Sequence, residues 1–208
     1  KSMRDSLTGL FNRDAAVQSV NRYMQDGSRA PEGTLMVIDL DNFKEINDTK
    51  GHLFGDSVLT EAARCIAGVF DSQDMVGRIG GDEFLVFSKQ LSGREEIMKR
   101  GRQLIEDIAG LPSVKKSGSK LSCSIGAAVY PADGSTYEQL FLKADMALYA
   151  GKNWGKGRCV VYDSSLRPAD SGKHIQGRFT DGTMIDSENG RYFVTNKVIH
   201  YVFKALYE

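Results

Sequence analysis

Apolar and polar positions repeat with two periods along the chain, and these periods predict where helices and strands lie. The run TLMVI at 34–38 is continuous and short, which is typical of a buried central strand, and it ends at Asp39. Further strands are predicted at 120–130 and 158–162. Helical spacing of apolar residues predicts helices at 12–24, with Asn12 as N-cap, and at 42–48, 55–70, 93–110 and 137–152.

A β-hairpin is predicted at 74–88, where two apolar runs flank a tight turn. The adjacent glycines Gly80 and Gly81 are expected to supply the positive φ that hairpin turns require. Hairpins mixed with crossover helices predict an α/β fold, with a mixed, mainly antiparallel central sheet flanked by helices.

The remaining segments are predicted to be connections. Residues 49–54 are expected to form a loop, and 111–118 a basic, flexible turn. Residues 164–173 have the composition of a linker, so we divide the chain into a domain at 1–163 and a C-terminal extension, or the start of a further module, at 164–208. The first residue is not Met and the last residues look helical, so we expect the chain to be part of a longer protein.

The charge and cysteine content narrow the class of protein. The 208 residues contain 27 Lys and Arg and 27 Asp and Glu, a balance that favours neither nucleic acid nor a membrane surface as partner. Cys65 and Cys123 lie in apolar runs and Cys159 is isolated, which favours a reducing compartment. No stretch has the pattern of a signal peptide or membrane span, so a cytoplasmic location is expected, on the cytosolic side of any anchored full-length protein.

Acidic residues stand at the tip of the predicted hairpin and at the end of the predicted central strand. Asp82 and Glu83 come directly after the paired glycines, and Asp39 comes directly after the buried strand. If the hairpin lies beside that strand, Asp39 and Asp82 form a pair of carboxylates with open positions, as Mg²⁺ prefers. Two alternatives stay open: a solvated acidic turn at the hairpin, and capping of the helix at 42–48 by Asp39.

Basic residues and amides supply the remaining candidate ligand contacts. Free N–H groups at 42–44, together with Lys44, predict a phosphate cradle at the start of a helix. Lys152 and Lys156 lie among glycines at the end of a helix, where they either clamp a triphosphate or satisfy the last carbonyls. An amide at Asn47 and a carboxylate at Asp56 suit the donors and acceptors of guanine, although Asp56 equally suits the first turn of a helix.

Six motifs in order resemble the GGDEF domain of bacterial diguanylate cyclases, over about residues 5–163. The motifs are DSLTGLFNR at 5–13, DLDNFK with ND and GH at 39–52, GD at 55–56, RIGGDEF at 78–84, SIG at 124–126 and ADMALY at 144–149. The resemblance implies a fold like that of nucleotidyl cyclases and the polymerase palm. It also implies condensation of two GTP molecules into cyclic di-3′,5′-GMP and two pyrophosphates, in bacterial second-messenger signalling, by a homodimer with one GTP in each protomer.

The resemblance also assigns roles by position. Asp39 and Asp82, with the Leu40 carbonyl, would bind Mg²⁺ or Mn²⁺, and Glu83 would assist deprotonation of the ribose 3′-OH. The residues that would contact the substrate are Asn47 and Asp56 at guanine, Lys44, Lys152 and Lys156 at the phosphates, with Arg78 nearby, and Phe43, Gly80 and Gly81. Sensory or regulatory domains fused outside this chain are expected.

Two departures from the family pattern concern product inhibition and the loop at the phosphate end of the site. The family's product-inhibition motif, Arg-x-x-Asp, retains Asp74 here, but Asp71 stands in the Arg position. A carboxylate there repels the phosphates of a cyclic dinucleotide, so weak or absent feedback at this site is expected. Gly151 and Gly157 stand where the family usually has Ala and Asn, small changes that are expected to loosen the loop at the phosphate end. A non-catalytic GTP-binding regulatory domain remains the alternative function, and a cyclase with another product would require other base contacts.

Overall fold

In a computed structural model, residues 2–26 and 32–166 are described, and they contain a six-stranded sheet with the order β1-β3-β4-β2-β5-β6. The central strand β2 pairs antiparallel with β4 and β5, and β3 pairs antiparallel with β4. The outer pairs β1–β3 and β5–β6 are parallel, so the predicted mixed, mainly antiparallel sheet is confirmed. The strands are β1 (Phe11–Asn12), β2 (Gly33–Asp41), β3 (Met75–Arg78), β4 (Glu83–Ser88), β5 (Ser122–Tyr130) and β6 (Cys159–Val161).

The helices follow the predicted pattern with adjusted ends. Asn12 caps α1 as expected, because its side chain accepts a hydrogen bond of 3.0 Å from the N–H of Ala15. The helices are α1 (Arg13–Gln25), α2 (Phe43–Lys50), α3 (His52–Val69), α4 (Arg94–Ala109), α5 (Pro112–Ser117) and α6 (Tyr137–Asn153).

Alternation along β2 assigns its two faces to different neighbours. Met36, Ile38 and Leu40 belong to the hydrophobic core that includes residues of α3 and α4. Because successive side chains in a strand point to opposite faces, Asp39 and Asp41 face the other side of the sheet, where α6 packs. At Gly126 of β5, an added Cβ would overlap the backbone of α6 at Ala144 and Leu148, so this glycine allows the helix to lie directly against the sheet.

Several predicted boundaries are wrong. β2 does not end at 39 but continues to Asp41, because β5 pairs with it as far as Ser122. The loop predicted at 49–54 is helical except for Gly51, whose φ of 84° separates α2 from α3. The turn predicted at 111–118 contains α5, which begins with a proline. Strand β1 was not predicted, since two residues are too few to show a period.

The domain prediction is only partly covered by the described residues. The family-like motifs all lie within Lys1–Ser164, which forms one compact unit. The predicted linker and extension at 164–208 falls almost entirely outside the described part and stays a prediction. Over 2–26 and 32–166, no helix combines the length and apolar character that crossing a bilayer requires.

Candidate active site

The ends of β2 and of the hairpin meet at one edge of the sheet. Asp39 lies opposite Glu83 in the antiparallel register, and the Leu40 N–H donates a hydrogen bond of 3.1 Å to the Asp82 carbonyl. The hairpin therefore lies beside β2, as the carboxylate pair requires. The structure brings Asp39, Asp82 and Glu83 into one neighbourhood from positions more than 40 residues apart in the chain.

Asp39 is a buried carboxylate in a crowded electrostatic environment. Its residue is 8% exposed, and burial raises the pKa of its carboxyl, with further increases from the charges of Asp82 and Asp41. Lys152 opposes this rise, because its Nζ lies 2.7 Å from Asp39 Oδ2. Capping by Asp39 is not what the structure shows, because Asn42 occupies the N-cap of α2.

The donors at this edge fit a hard divalent cation. Ionised carboxylates that are crowded and desolvated are stabilised by a cation of high charge density. Within 2–26 and 32–166, no group of three His, Cys, Asp or Glu side chains could hold a metal by itself. A Mg²⁺ or Mn²⁺ ion at Asp39, Asp82 and the Leu40 carbonyl would complete its coordination with oxygens of water or substrate, which is the arrangement Mg²⁺ prefers.

The paired glycines of the hairpin act differently from the prediction. Neither Gly80 nor Gly81 has a positive φ, so the expected reason for this pair is wrong. A Cβ on Gly80 would instead lie 2.5 Å from Glu83 Oε2, whereas nothing lies within 4 Å of a Cβ on Gly81. Gly80 thus provides the space that the Glu83 side chain occupies, and Gly81 leaves an open surface at the tip.

Arg78 holds the hairpin tip against the N-terminal segment. Its Nε and Nη2 donate to the Gly81 carbonyl at 3.1 and 2.7 Å, and its Nη1 lies 3.2 Å from Asp5 Oδ1. Burial raises the pKa of Asp5, but hydrogen bonds from Thr8 and the Arg78 charge outweigh this and hold it below its usual value. The guanidinium therefore has protein partners, and a phosphate contact by Arg78 stays a prediction.

The end of α6 and loop 154–158, which follows it, each place one lysine near the end of β2. Lys152 contacts Asp39, and the Lys156 Nζ donates to Asn42 Oδ1 at 2.8 Å. The last carbonyls of α6 are bonded by backbone N–H groups, including that of Trp154 to Ala150 at 3.0 Å. The alternative in which these lysine side chains satisfy the helix end is therefore not needed, while Lys44 is exposed near the start of α2.

The candidate guanine contacts lie where α2 meets α3. A Cβ on Gly55 would overlap Asn47 Oδ1 and approach Phe43 Cζ to 3.2 Å, so Gly55 allows the Asn47 amide to lie against α3. Asp56 is exposed and lies beyond the first turn of α3, so the alternative of a first-turn acidic residue is not met. The side-chain roles of Asn47, Asp56 and Phe43 toward a base stay predictions.

Asp145 of α6 is a buried acid that sequence reasoning did not assign to the site. Burial raises the pKa of its carboxyl to about 7, with the Glu83 and Asp39 charges adding to the rise and Lys152 opposing it. Asp145 belongs to the ADMALY motif, but nothing in the sequence indicates that its carboxyl lies close enough to Glu83 to feel that charge.

Asp74 has structural partners at the predicted product-inhibition position. Its Oδ2 accepts from the Asp71 N–H at 3.1 Å, and its Oδ1 accepts from the Lys89 N–H at 3.0 Å. Both oxygens are therefore used in holding the turn that precedes β3 against the end of β4. The expectation of weak feedback at this position stays a prediction.

The family comparison agrees with this geometry. The family described as "Diguanylate cyclase, GGDEF domain" matches residues 2–158, and the chain belongs to this family. The matched residues include both the hairpin that carries Asp82 and the end of β2.

Individual relatives give the same picture. The chain is 33% identical over 171 residues to the bifunctional diguanylate cyclase/cyclic di-GMP phosphodiesterase MucR of Pseudomonas aeruginosa, which covers 79% of this chain and 24% of MucR. It is 38% identical over 156 residues to the diguanylate cyclase TpbB of the same species, covering 74% of this chain and 36% of TpbB. The solved GGDEF domain of TpbB superposes with a TM-score of 0.71 at 34% identity, covering 78% of this chain and 96% of that chain.

Proposed function

We propose that this chain is a diguanylate cyclase that condenses two GTP molecules into cyclic di-3′,5′-GMP and two pyrophosphates, with Mg²⁺ or Mn²⁺. The observation that carries the proposal is the meeting of Asp39, Asp82 and Glu83 at one sheet edge of a GGDEF-family fold. The names of MucR and TpbB support the reaction class. The chain spans only about a quarter to a third of these relatives, so the activity of the whole protein is part of the proposal.

The acidic residues divide the chemical work. A divalent cation held by Asp39, Asp82 and the Leu40 carbonyl would neutralise charge on the triphosphate. Glu83 accepts the proton of the ribose 3′-OH, and the resulting oxygen attacks the α-phosphorus of the other GTP. The bond from that phosphorus to the bridging oxygen breaks, and pyrophosphate leaves. In a second step, the 3′-oxygen of that other GTP attacks the α-phosphorus of the first one. A second pyrophosphate leaves and the ring closes.

The remaining contacts orient the substrate. Asn47 and Asp56 pair with the edge of guanine, with Phe43 beside them, and Gly81 lets the nucleotide approach bare backbone. The phosphate chain lies against the start of α2 and is contacted by Lys44, Lys152 and Lys156. In this scheme Lys152 would contact a phosphate oxygen instead of Asp39 when a cation occupies the site, because the cation would neutralise the carboxylate and repel the ammonium group.

Two copies of the chain are required for the complete reaction. One hairpin supplies one Glu83 and one cation site, whereas ring closure needs an activated 3′-OH and a bound α-phosphate on each of two nucleotides. We propose that two protomers face each other, each holding one GTP. Fused regulatory domains would then set the rate by controlling how often the protomers meet.

A non-catalytic GTP-binding domain is the second candidate. The relative MucR carries a phosphodiesterase activity in its name, and the chain matches only 24% of its length. A GGDEF domain attached to another enzyme could act through GTP binding alone. The retained acids at positions 39, 82 and 83 favour catalysis over this alternative.

The decisive experiment measures product formation. The protein is incubated with GTP and Mg²⁺ at increasing protein concentrations, and cyclic di-GMP is quantified by chromatography and mass spectrometry. We expect product whose specific rate rises with protein concentration, because the active species is a dimer. Asp82→Ala should lower the rate by roughly 1000-fold, since a bound metal contributes several kcal/mol to phosphoryl transfer.

The control is a variant in which an aspartate outside the proposed site is replaced by alanine. The Asp107 carboxylate of α4 accepts a hydrogen bond of 2.9 Å from Gln103 of the same helix and has no part in the proposed site, so Asp107→Ala should retain the wild-type rate. Tight binding of GTP with no product at any protein concentration would support the regulatory alternative. Absence of both binding and product would refute the proposed function.

A further inference from the structure

Asp41 carries a buried carboxylate that the proposed reaction does not use. The residue is 3% exposed, and it ends β2 two positions after Asp39. The single hydroxyl proton of Ser124 is shared between Asp41 Oδ1 and Oδ2, at 2.9 and 3.0 Å from Oγ, and Asp41 Oδ2 also accepts from the Gly157 N–H at 3.1 Å. A buried carboxylate is costly without such donors, so these bonds account for its presence inside the fold.

Loop 154–158 needs external support to keep its shape. Gly155, Lys156 and Gly157 have φ values of 111°, 61° and 59°, so three consecutive residues have left-handed or other positive-φ conformations. This is unfavourable for a lysine and persists only where contacts hold it. The exposed bond between Lys156 and Asn42 is a weak support, whereas the partly buried, charge-assisted bond from the Gly157 N–H to the Asp41 carboxylate is a stronger one.

We propose that Asp41 is a positioning residue: its carboxylate fastens loop 154–158 to the end of β2 and so fixes Lys156 beside the start of α2. This hydrogen bond connects β2, which carries Asp39, to loop 154–158, which carries Lys156. The assignment of Lys156 to a triphosphate rests on the proposed function. The fastening of the loop rests on the hydrogen bonds alone.

The first test compares nucleotide binding by two Asp-to-Asn variants of the full chain. Asp41→Asn keeps the size of the side chain but removes its charge and one acceptor oxygen, so the loop loses a charge-assisted bond. We expect the dissociation constant for a non-hydrolysable GTP analogue with Mg²⁺, measured by calorimetry, to rise about tenfold. The control is Asp133→Asn, because Asp133 also bonds a backbone N–H, that of Val129, at the opposite end of β5.

A double-mutant cycle tests whether Asp41 acts through the lysine. Lys156→Met removes the charge, and in that background Asp41→Asn should cause little further loss of analogue binding. Full additivity of the two losses would overturn the proposal, because a general structural defect or an effect on the cation at Asp39 would not depend on Lys156. Equal binding by Asp41→Asn and Asp133→Asn would also overturn it.

Amide hydrogen exchange provides a readout that needs no nucleotide. The Gly157 amide should exchange at least tenfold faster in Asp41→Asn than in the wild type, while amides in the middle of β2 remain unchanged. Unchanged exchange at Gly157 would refute the fastening. If the wild type fails to bind the analogue, the proposed function fails, and this exchange measurement alone decides the role of Asp41.

A milder variant covers the case in which Asp41→Asn does not fold. Ser124→Ala removes the hydroxyl that orients the carboxylate but leaves its charge and the Gly157 bond available. We expect a smaller increase in both the dissociation constant and the Gly157 exchange rate, each about threefold. Wild-type values for both would count against Asp41 as a positioning residue.

Discussion

Two carboxylates on one strand show how differently the two sides of the site are built. Asp39 and Asp41 lie two residues apart on the same face of β2, and both are buried. Asp41 is surrounded by donors from β5 and loop 154–158. Asp39 faces the hairpin, where Asp82 adds a second negative charge, and its partner is Lys152, whose side chain is 28% exposed.

The difference separates a structural acid from an acid that is available for binding. Donors that are part of the fold satisfy Asp41, so replacing them by a ligand would bring no gain. The burial and charge around Asp39 disfavour its ionised form, and a cation would reverse that effect. A buried acid with too few fixed donors is therefore a better candidate ligand than one that is fully hydrogen-bonded.

The largest expected effect separates these two acids directly. Asp39→Asn should lower cyclic di-GMP formation by roughly 1000-fold through loss of the cation. Because the folded state raises the pKa of Asp39, its ionised form opposes folding at neutral pH, so this variant should have a higher melting temperature than the wild type. Calorimetry and the product assay measure the two effects.

Asp41→Asn is the matched comparison for that experiment. It should lower the melting temperature, because a buried carboxylate hydrogen bond contributes about 1.5–3 kcal/mol. If both variants lower the melting temperature equally, the distinction between a satisfied and an under-satisfied acid on β2 is wrong.

A third buried acid extends the comparison to α6. The pKa of Asp145 is raised to about 7 mainly by burial, so the folded state holds a proton that the unfolded chain releases near the ordinary pKa of 3.8. Stability should therefore fall as the pH rises from about 4 to 7 and level off above that, by roughly 4 kcal/mol at most.

Asp145→Asn should remove this part of the pH dependence of the free energy of unfolding. The free energy of unfolding is measured by urea titration at several pH values, and the difference between wild type and variant gives the Asp145 part of the slope. A slope that is identical in the two proteins would show that Asp145 is not an under-satisfied acid like Asp39.

The smallest expected effect concerns the space around Glu83. Gly80→Ala places a Cβ against Glu83 Oε2 and should displace the proton acceptor, which lowers product formation by about tenfold. Gly68→Ala is the control, since nothing lies within 4 Å of a Cβ there and alanine is the better helix residue in α3. Equal activity in both variants would mean that Gly80 does not control the position of Glu83.

Local patterns in the sequence predicted most of the elements and the two acidic stretches of the site. Apolar spacing located β2, the hairpin and five of the helices, because helical and strand periods are properties of neighbouring residues. The predicted positions of Asp39 at a strand end and of Asp82 at a hairpin turn led to the prediction of a cation site, although β2 continues to Asp41 and the cation stays a prediction. The short β1 and α5 were missed, since they contain less than one clear repeat.

Partners far apart in the chain could not be found in this way. Arg78 bonds to Asp5 across 73 positions and Gly157 to Asp41 across 116, and neither pairing follows from spacing. The role of Gly80 also changed, from a turn residue with positive φ to a residue that makes room for Glu83. Such contacts depend on strand register and on how closely α6 packs against β5, and these arise only when the whole chain is folded.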